Sequence, residues 1–335
     1  MSGRAGRAAR DPRPEPLWRD EAPIRVGIST CLLGREVRWD GGHKRDRFLT
    51  DVLGGYVEWV PVCPEVELGM GTPREPVRLV RAAGEVRMLG TKSGRDWTRA
   101  MRDFAAHRVR ELAKLELCGY VLKKDSPSCG MERVRVYPGS GPASREGLGL
   151  FAEALLAANE SLPVEEEGRL NDPVLRESFI ERLFAYRRLR SLFDGRLALR
   201  RLVAFHTAHK LQLLAHAPQG YAELGRLVAG AKRLAPGSLR ERYERGFMGA
   251  LARRATPRRH VNVLQHCLGH FREQLDAGAR AEILGVVEDY GRGLVPLVVP
   301  ITLVRHYAQR LGIAYLLGQV YLEPHPKELM LRNHV

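Results

Sequence analysis

The chain has 335 residues, of which 44% are hydrophobic, and its formal net charge at pH 7 is +15. This length suits two domains, and because no apolar stretch approaches the ~18–20 residues that span a bilayer, no membrane segment is predicted. A pI near 10.0 favours a polyanionic partner, nucleic acid first, although a genome that prefers arginine would produce the same charge.

Residues 1–22 are rich in Arg, Pro and Gly and lack the apolar core of a secretory signal. They predict a disordered basic tail on a cytoplasmic protein. Strand-like and helix-like segments then alternate. The candidate strands are 24–29, 56–62, 85–89, 119–123 and 133–137, and the candidate helices are 96–116 and 147–160. Alternation of this kind predicts an α/β domain over residues 23–162, with a mainly parallel sheet flanked by helices.

Residues 163–172 contain Pro163, a run of three glutamates and Gly168, a composition that predicts a linker. Only helical patterns follow it, near 172–192, 196–216, 218–230, 236–253, 257–276, 278–292 and 296–314. Prolines lie near the starts of four of them: Pro218, Pro236, Pro257 and Pro296. Residues 173–335 are therefore predicted to form an all-α domain.

Three of the five cysteines, Cys31, Cys63 and Cys129, each follow a predicted strand. Because the carboxyl ends of parallel strands meet at one edge of a sheet, we expect these thiols to lie together, where helix N-termini would favour the thiolate. Zinc and iron–sulfur clusters both use thiolates, but zinc sites usually include a close Cys pair that is missing here. Three ligands on a cluster would leave one iron open as a Lewis acid. Cys118 and Cys267 are predicted to be buried apolar residues.

Three segments resemble, in the same order, the signature segments of the TudS thiouracil desulfidase family. They are ISTCLLGREVRWDGGHKR, VPVCPEVELGMGTPREP and LKKDSPSCGMERVRVY, and the resemblance covers about residues 23–160. In that family three cysteines hold a 4Fe–4S cluster whose fourth iron has no protein ligand, and sulfur is removed from thiolated pyrimidines without net redox change. The resemblance implies that Cys31, Cys63 and Cys129 are the ligands here.

The second half resembles the YbgA-type helical domain over about residues 175–335, through FHTAHKLQLLAHAPQGYAELGRLVA, HVNVLQHCLGHF and YLEPHPKELMLRNH. A fusion of these two domains resembles the RudS proteins, desulfidases that act on 4-thiouridine in tRNA. It implies a tRNA containing 4-thiouridine as substrate, with uridine and hydrogen sulfide as products. No glycine-rich nucleotide-binding motif occurs, so no nucleotide cofactor is predicted. The sequence leaves the oligomeric state open.

Two residues near the cysteines are candidates for proton transfer. Glu65 follows Cys63 by two residues and is the first candidate for the base that activates water, on the expectation that its neighbours are apolar. Ser126 is the candidate for a positioning hydrogen bond or a proton relay. Structural alternatives are a helix-capping role for Glu65 and a turn role for Ser126. Asp40 and Lys123 are weaker candidates for these proton-transfer roles or for substrate contact. Arg74 could hold a phosphate of the substrate or fix its own loop.

A polar, basic face of the helical domain is the candidate RNA-binding surface. It would consist of His206, Lys210, Arg258, Arg259, Asn262, His266 and Arg305. Arginine and lysine would contact phosphates, although such residues also occur on ordinary solvated surfaces. Histidine pairs at helical spacing make a metal site conceivable, but packing is the better interpretation because matching carboxylates are missing.

Two other functions compete with tRNA desulfidation. The first is a desulfidase for free thiouracil or thionucleotides, which would need no grip on RNA. The second is a non-catalytic iron–sulfur protein that binds RNA or senses redox state.

Overall fold

A computed structural model describes residues 23–82, 84–138, 141–195 and 197–334. The tail predicted at 1–22 lies outside the described residues. The described chain divides into two compact units, of which the first ends at Arg190 and the second begins at Ser191.

The first unit contains strands and helices in alternation. Its strands are β1 (Arg25–Ser29), β2 (Glu58–Val62), β3 (Val77–Ala82), β4 (Glu85–Gly90), β5 (Gly119–Leu122), β6 (Val134–Tyr137), β7 (Ser144–Gly147) and β8 (Val164–Glu166). Its helices are α1 (Pro64–Glu67), α2 (Thr98–Lys114) and α3 (Leu150–Ala158), while α4 (Pro173–Phe193) crosses the boundary between the units.

One sheet has the order β2-β1-β5-β8, and every neighbouring pair in it is parallel. Its central strands are largely buried: Val26 and Ile28 of β1 and Tyr120 of β5 have no exposed surface. Gly27 makes room for the Tyr120 ring, because a Cβ at this position would lie 2.1 Å from a ring carbon. The predicted α/β class and its parallel sheet are confirmed.

A second sheet, of order β4-β3-β6-β7, is a feature that the sequence analysis missed. The β3–β4 and β6–β7 pairs are antiparallel, and Leu79, Met88 and Met101 are buried in its core. The predicted strands at 85–89 and 133–137 are therefore correct in position, but the expectation that they extend the parallel sheet is wrong. Antiparallel neighbours need only short connections, and β4 begins three residues after the end of β3.

The linker predicted at 163–172 is wrong, because β8 lies within it and pairs with β5 inside the parallel sheet. Glu165, Glu166 and Glu167 are buried, and each carboxylate has a partner. Glu165 accepts from Arg169, Glu166 from the Met131 N–H, and Glu167 from Lys123 and the Lys124 N–H. The sequence does not show these partners, so from the sequence alone three consecutive glutamates predict a solvent-exposed linker.

The second unit is helical throughout its described residues. Its helices are α5 (Leu199–Ala208), α6 (Lys210–His216), α7 (Pro218–Ala229), α8 (Pro236–Leu251), α9 (Pro257–Gly269), α10 (Ala277–Gly291), α11 (Val298–Arg310) and α12 (Ala314–Leu317). The all-α prediction is confirmed. The single helix expected at 196–216 is two helices separated at His209, and α7, α8 and α9 each begin at a proline.

A core of aliphatic and aromatic side chains runs between α6, α9, α10 and α11 in this unit. Val263, Leu264, Ile283 and Val304 within it have no exposed surface. No helix in the described part of the chain is both long and apolar enough to cross a membrane.

Candidate active site

The three strand-end cysteines lie around one cavity of about 390 Å³ in the first unit. Cys31 belongs to the single turn Thr30–Leu33 that follows β1, Cys63 directly follows β2, and Cys129 lies in the loop after β5. Since β1, β2 and β5 are parallel neighbours, their carboxyl ends deliver the three side chains to the same edge. The expected convergence of these residues is thus present in the structure.

Backbone hydrogen bonds fix the first two cysteines. The carbonyl of Cys31 accepts from the Lys44 N–H at 2.9 Å and from the Gly34 N–H at 3.3 Å. Gly34 has φ +87°, a left-handed conformation that glycine adopts without strain. Cys63 precedes α1, and its N–H donates to the Glu67 carboxylate at 3.0 Å.

The Cys129 loop packs its backbone against the start of α3. The N–H groups of Gly149 and Leu150 donate to the carbonyls of Gly130 at 2.8 Å and Pro127 at 3.1 Å. The loop and the helix approach so closely that a Cβ at Gly149 would lie 2.5 Å from the Ser128 carbonyl oxygen. Glycine is therefore required at 149, and the Cys129 loop in turn caps the helix.

Burial disfavours the charged form of all three thiols. It raises the pKa of Cys31 to about 11, with Lys123 opposing the shift, and it raises the pKa of Cys129 further. It also raises the pKa of Cys63, although N–H groups at the start of α1 oppose the shift. The predicted stabilisation of the thiolate by helix N-termini is present at Cys63 but is weaker than desolvation. A cationic group must therefore displace the protons before these sulfurs act as ligands at neutral pH.

The donor set fits a cluster better than a single metal ion. Three soft sulfur donors line the cavity, yet the described residues contain no group of three Cys, His, Asp or Glu side chains close enough to hold one ion. A cluster presents several irons, so each cysteine can bind a different one. Cys118 and Cys267 are 1% and 0% exposed and do not line the cavity, which confirms the prediction that they are buried packing residues.

Glu65 lies in a chain of hydrogen bonds rather than among apolar neighbours. One carboxylate oxygen accepts from Arg74 Nε at 2.9 Å and from its Nη2, and the other accepts from Ser128 Oγ at 2.5 Å. Ser128 Oγ lies 3.1 Å from Ser126 Oγ, which also accepts from the Cys129 N–H. The expectation of apolar surroundings for Glu65 is wrong, because Arg74 balances its charge. The carboxylate nevertheless lines the cavity beside the cysteines.

Arg74 is occupied by the protein itself. In addition to Glu65 it binds the carbonyls of Val37 at 3.1 Å and Gly71 at 2.9 Å, and its side chain is only 6% exposed. These contacts favour loop fixing, one of the two roles considered for it, over phosphate binding.

The other two candidates for substrate contact differ in position. Lys123 lines the cavity and donates to Glu167 at 2.6 Å. Asp40 is exposed and is not among the cavity residues; its carboxylate accepts from the Gly42 N–H and pairs with Arg38, which together lower its pKa.

Three functional positions were missed from the sequence. Ser128 connects Ser126 to Glu65, Glu167 positions Lys123 at the end of β8, and Trp39 lines the cavity with 44% of its surface exposed. Ser128 could have been noticed, because it flanks Pro127 on the other side from Ser126. Trp39 could also have been noticed, because it is a single tryptophan in the polar segment RWDGG. Nothing in the acidic run indicated a buried role for Glu167.

The proposed RNA-binding residues of the second unit do not form one surface. His206 is 8% exposed, contacts the Tyr243 hydroxyl at 3.2 Å and stacks on Tyr221, so its assignment to an exposed face is wrong. Arg259 donates to the carbonyl of His216 at 2.8 Å and thereby holds the end of α6. Buried aromatic packing and helix capping account for these two side chains.

The remaining members of the set fall into two places. Arg258, Asn262 and His266 are exposed and repeat every four residues along α9, so they share one face. Lys210 is half-buried at the start of α6. It lies near this face: burial lowers the pKa of His270, and the charges of Lys210 and His266 lower it further. Arg305 instead lines a separate cavity that none of the others lines, and it pairs with Glu323 at 3.0 Å.

Comparison with known proteins identifies both halves. Residues 26–167 match the 2-thiouracil desulfurase family, and residues 210–326 match a family described as a protein of unknown function, DUF1722. The YbgA protein of Escherichia coli (strain K12) is 32% identical over 158 residues, which cover 47% of this chain and 94% of YbgA. The YbbK protein of Bacillus subtilis (strain 168) is 31% identical over 151 residues, which cover 43% of this chain and 97% of YbbK.

The chain is a fusion of a 2-thiouracil desulfurase family domain with a YbgA-like domain. A solved structure, the [4Fe–4S]-dependent thiouracil desulfidase TudS, is 32% identical; the match covers 46% of this chain and 97% of that chain, with a TM-score of 0.37. Membership of the desulfurase family supports carbon–sulfur bond cleavage as the class of reaction. The cavity with its three cysteines lies within the matched desulfurase residues.

Proposed function

We propose that this protein removes sulfur from 4-thiouridine in tRNA, using a 4Fe–4S cluster held by Cys31, Cys63 and Cys129. The observation that carries the proposal is the convergence of these three thiols on one cavity, whose wall also contains Glu65 and Ser128. Family membership supplies the reaction class, and the TudS resemblance of the three cysteine segments supplies the cluster. A reducing cytoplasm, the location predicted from the sequence, would keep the thiols available.

The bound cluster would supply a Lewis acid at an iron without a protein ligand, which is able to polarise a thiocarbonyl group. The overall reaction converts a thiocarbonyl and one water into a carbonyl and hydrogen sulfide, so the protein must accept and return protons without transferring electrons. Glu65 is suited to accept a proton, because the hydrogen bonds from Arg74 and Ser128 hold its carboxylate at the cavity wall.

A relay extends from this carboxylate toward Cys129. Ser128 donates to Glu65, and its oxygen lies within hydrogen-bond distance of Ser126. A proton taken up at Ser126 can therefore reach Glu65 in two transfers along existing hydrogen bonds. Ser126 also accepts from the Cys129 N–H, so the relay and the third ligand are held by the same loop.

The rest of the cavity wall suits a pyrimidine attached to a phosphate backbone. Trp39 offers an exposed aromatic face on which a base can stack. The lining also includes Arg38 and the exposed Lys44 and Lys124, which can attract phosphates. A cavity of about 390 Å³ is within the range of small-ligand sites, and a base flipped out of the RNA would enter it.

Free thiopyrimidines are the second candidate substrate, because the matched family is described as a 2-thiouracil desulfurase. A free base would use the same cysteines, Glu65 and Trp39, but it would have no use for the exposed cations at the rim or for an RNA-binding second unit. An RNA-binding role of the helical unit therefore favours tRNA as the substrate, and the lack of such a role favours the free base.

The test is an anaerobic assay with the reconstituted full-length protein. Bulk bacterial tRNA and free 4-thiouracil are compared as substrates, and both the loss of the thiopyrimidine and the release of sulfide are quantified. We expect kcat/KM to be higher for tRNA, activity to be lost in Cys129→Ala and activity to be retained in Cys118→Ala. A higher kcat/KM for free 4-thiouracil would replace tRNA by the free base. Absence of sulfide from either substrate, with the cluster intact, would leave the non-catalytic RNA-binding alternative.

A further inference from the structure

The helical unit contains a cavity of about 450 Å³ that the proposed desulfidation does not use. Its walls come from one side of α11 and from the C-terminal segment 322–333. That segment includes most of the motif YLEPHPKELMLRNH, which the proposed desulfidation does not explain. The basic, imidazole and amide side chains in its lining include Arg305, His306, His325, Lys327, Arg332 and Asn333.

This cavity is positively charged. Arg305, Lys327 and Arg332 contribute three formal positive charges, while the acidic contribution is a single residue, Glu323, which pairs with Arg305 at 3.0 Å. The side chain of Lys327 is exposed to solvent, whereas Arg332 is buried, with 6% of its surface exposed. A buried guanidinium and an exposed ammonium on one concave surface favour an anionic ligand, because a concave low-dielectric wall concentrates the field of its charges.

Hydrogen bonds hold the cavity wall in place before any ligand binds. Arg332 donates through Nη1 to the Tyr321 carbonyl at 2.7 Å, and its own carbonyl accepts from the Val298 N–H at 3.1 Å. These bonds tie the chain end to the start of α11. A preformed site loses less entropy on binding than a flexible tail would, which suits it to recognition.

The other residues that line the cavity indicate which kind of molecule carries the anionic group. Ile301, Leu322 and Leu331 form an apolar floor, and the rings of His306 and His325 lie among the cations. Asn333 and Gln309 add amide groups, which can hydrogen-bond to the edge of a base. Inorganic phosphate would use only the cations of this site, whereas a phosphate joined to a sugar and a base would also use the apolar floor, the rings and the amides.

We propose that this cavity binds a single phosphorylated nucleotide of an RNA chain, with the phosphate held by Lys327, Arg305 and Arg332 and the base lying over the apolar floor. The inference rests on the proposed function, of which it names the RNA-binding site in the helical unit. It replaces the basic face predicted from the sequence as the principal RNA contact, and Arg305 is the member of that predicted set that lines this cavity. The phosphate could also come from a free nucleotide, so the experiment separates the two sources.

The experiment measures binding by the full-length protein to a short fluorescein-labelled single-stranded RNA and, in a separate arm, to uridine 5′-monophosphate. The variants are Lys327→Glu and His306→Ala, both at exposed positions. Arg226→Glu is the matched control: it also reverses an exposed positive charge, on α7, and it does not line the cavity. We expect Lys327→Glu to weaken RNA binding by about tenfold or more and to reduce the slope of log affinity against log salt by roughly one, while Arg226→Glu changes affinity less than about twofold.

Each outcome decides the proposal. Loss of RNA affinity in Lys327→Glu, without measurable binding of the mononucleotide by wild-type protein, supports an RNA nucleotide as the ligand. Mononucleotide binding that competes with RNA and is lost in Lys327→Glu supports the site with a free nucleotide as a second source. Equal effects of Lys327→Glu and Arg226→Glu, or no effect of either cavity variant, would overturn it.

A parallel assay separates this inference from the proposed desulfidation. Turnover of free 4-thiouracil by the wild-type protein is measured beside RNA binding, because the proposed reaction of a free base uses the cysteine cavity alone. If no thiopyrimidine is turned over while Lys327→Glu still loses RNA affinity, the desulfidase proposal fails and the nucleotide site stands.

Discussion

The two units place their chemically reactive side chains in opposite ways. In the first unit, three cysteines from distant parts of the chain meet at one sheet edge, because β1, β2 and β5 are parallel neighbours. In the second unit, two pairs of histidines with similar helical spacing lie in different environments. His206 and His209 are buried against aromatic rings, whereas His266 and His270 are exposed.

This difference shows which kind of spacing indicates a site. Helical spacing of i,i+3 or i,i+4 brings two side chains to one face but does not decide whether that face is buried. A position directly after a strand of a parallel sheet does place the side chain at the edge where ligands bind. The following predictions sharpen the comparison, beginning with the largest expected effect.

Replacing Glu65 tests whether the chain of hydrogen bonds at the sheet edge is catalytic. Glu65→Gln keeps the size of the side chain but removes the proton acceptor, and its single amide oxygen can accept from Ser128 or from Arg74 but not from both. We expect kcat to fall by about 10²–10⁴-fold with iron content unchanged. The assay is anaerobic sulfide release. The matched control is Glu67→Gln, because Glu67 lies on the same short helix and its amide replacement can still accept from the Cys63 N–H. Equal losses in both variants would mean that Glu65 serves the structure of α1.

Removing the Ser128 hydroxyl tests the relay between Ser126 and Glu65. Ser128→Ala deletes the donor to Glu65, and a hydrogen bond to a charged group is worth about 1.5–3 kcal/mol, so a loss of roughly 10–100-fold in kcat is expected. KM for the substrate is expected to change little, since Ser128 is 1% exposed. An increase in KM with kcat unchanged would indicate a role in binding and would contradict the relay.

Glycine-to-alanine substitutions compare the packing of the two units. Gly149→Ala places a Cβ 2.5 Å from the Ser128 carbonyl oxygen and is expected to destabilise the first unit by about 1–3 kcal/mol. Gly249→Ala, in α8, meets nothing within 4 Å and is expected to stabilise its helix by up to about 1 kcal/mol. Chemical denaturation followed by circular dichroism measures both. Destabilisation by Gly249→Ala similar to that by Gly149→Ala would contradict the stated difference in packing.

The smallest expected effect is the contribution of the buried His206 to the pH dependence of stability. Burial lowers its pKa below the unfolded value of about 6.5. The unfolded chain then binds a proton that the folded chain does not, so stability is highest above pH 6.5 and declines as the pH falls through the folded-state pKa. His206→Gln is expected to make the midpoint of thermal unfolding less sensitive to pH between 7.5 and 5.5 than in wild type. The exposed His266→Gln is the control, and it is expected to retain the wild-type dependence.

The sequence predicted much of this molecule because several signals were local. Hydrophobic runs and helix-starting prolines located β1, β2, β5 and most of the helices, and the strand-end positions of three cysteines predicted their convergence. β3 could also have been predicted, because VRLVRA contains Val77, Leu79 and Val80, which are typical strand residues, but this short run was overlooked. β7 carries no such pattern, because three of its four residues are exposed.

Features that depend on partners from distant segments could not be predicted. The charges of Glu165, Glu166 and Glu167 suggest solvent exposure until Arg169, Met131 and Lys123 are known to be their partners. The pairing of Glu65 with Arg74 and Ser128 joins α1 to two loops and has no fixed spacing in sequence. The C-terminal cavity likewise requires knowledge of how α11 and the chain end fold together.

Iron content in a panel of cysteine variants tests the central claim most directly. Each of the five cysteines is replaced singly by alanine, the proteins are reconstituted anaerobically, and iron and labile sulfide per chain are measured together with the absorption spectrum. Cys31→Ala, Cys63→Ala and Cys129→Ala are expected to lose or severely reduce the cluster, whereas Cys118→Ala and Cys267→Ala retain it. Retention of wild-type iron in all three site variants, or equal loss in all five, would contradict the account.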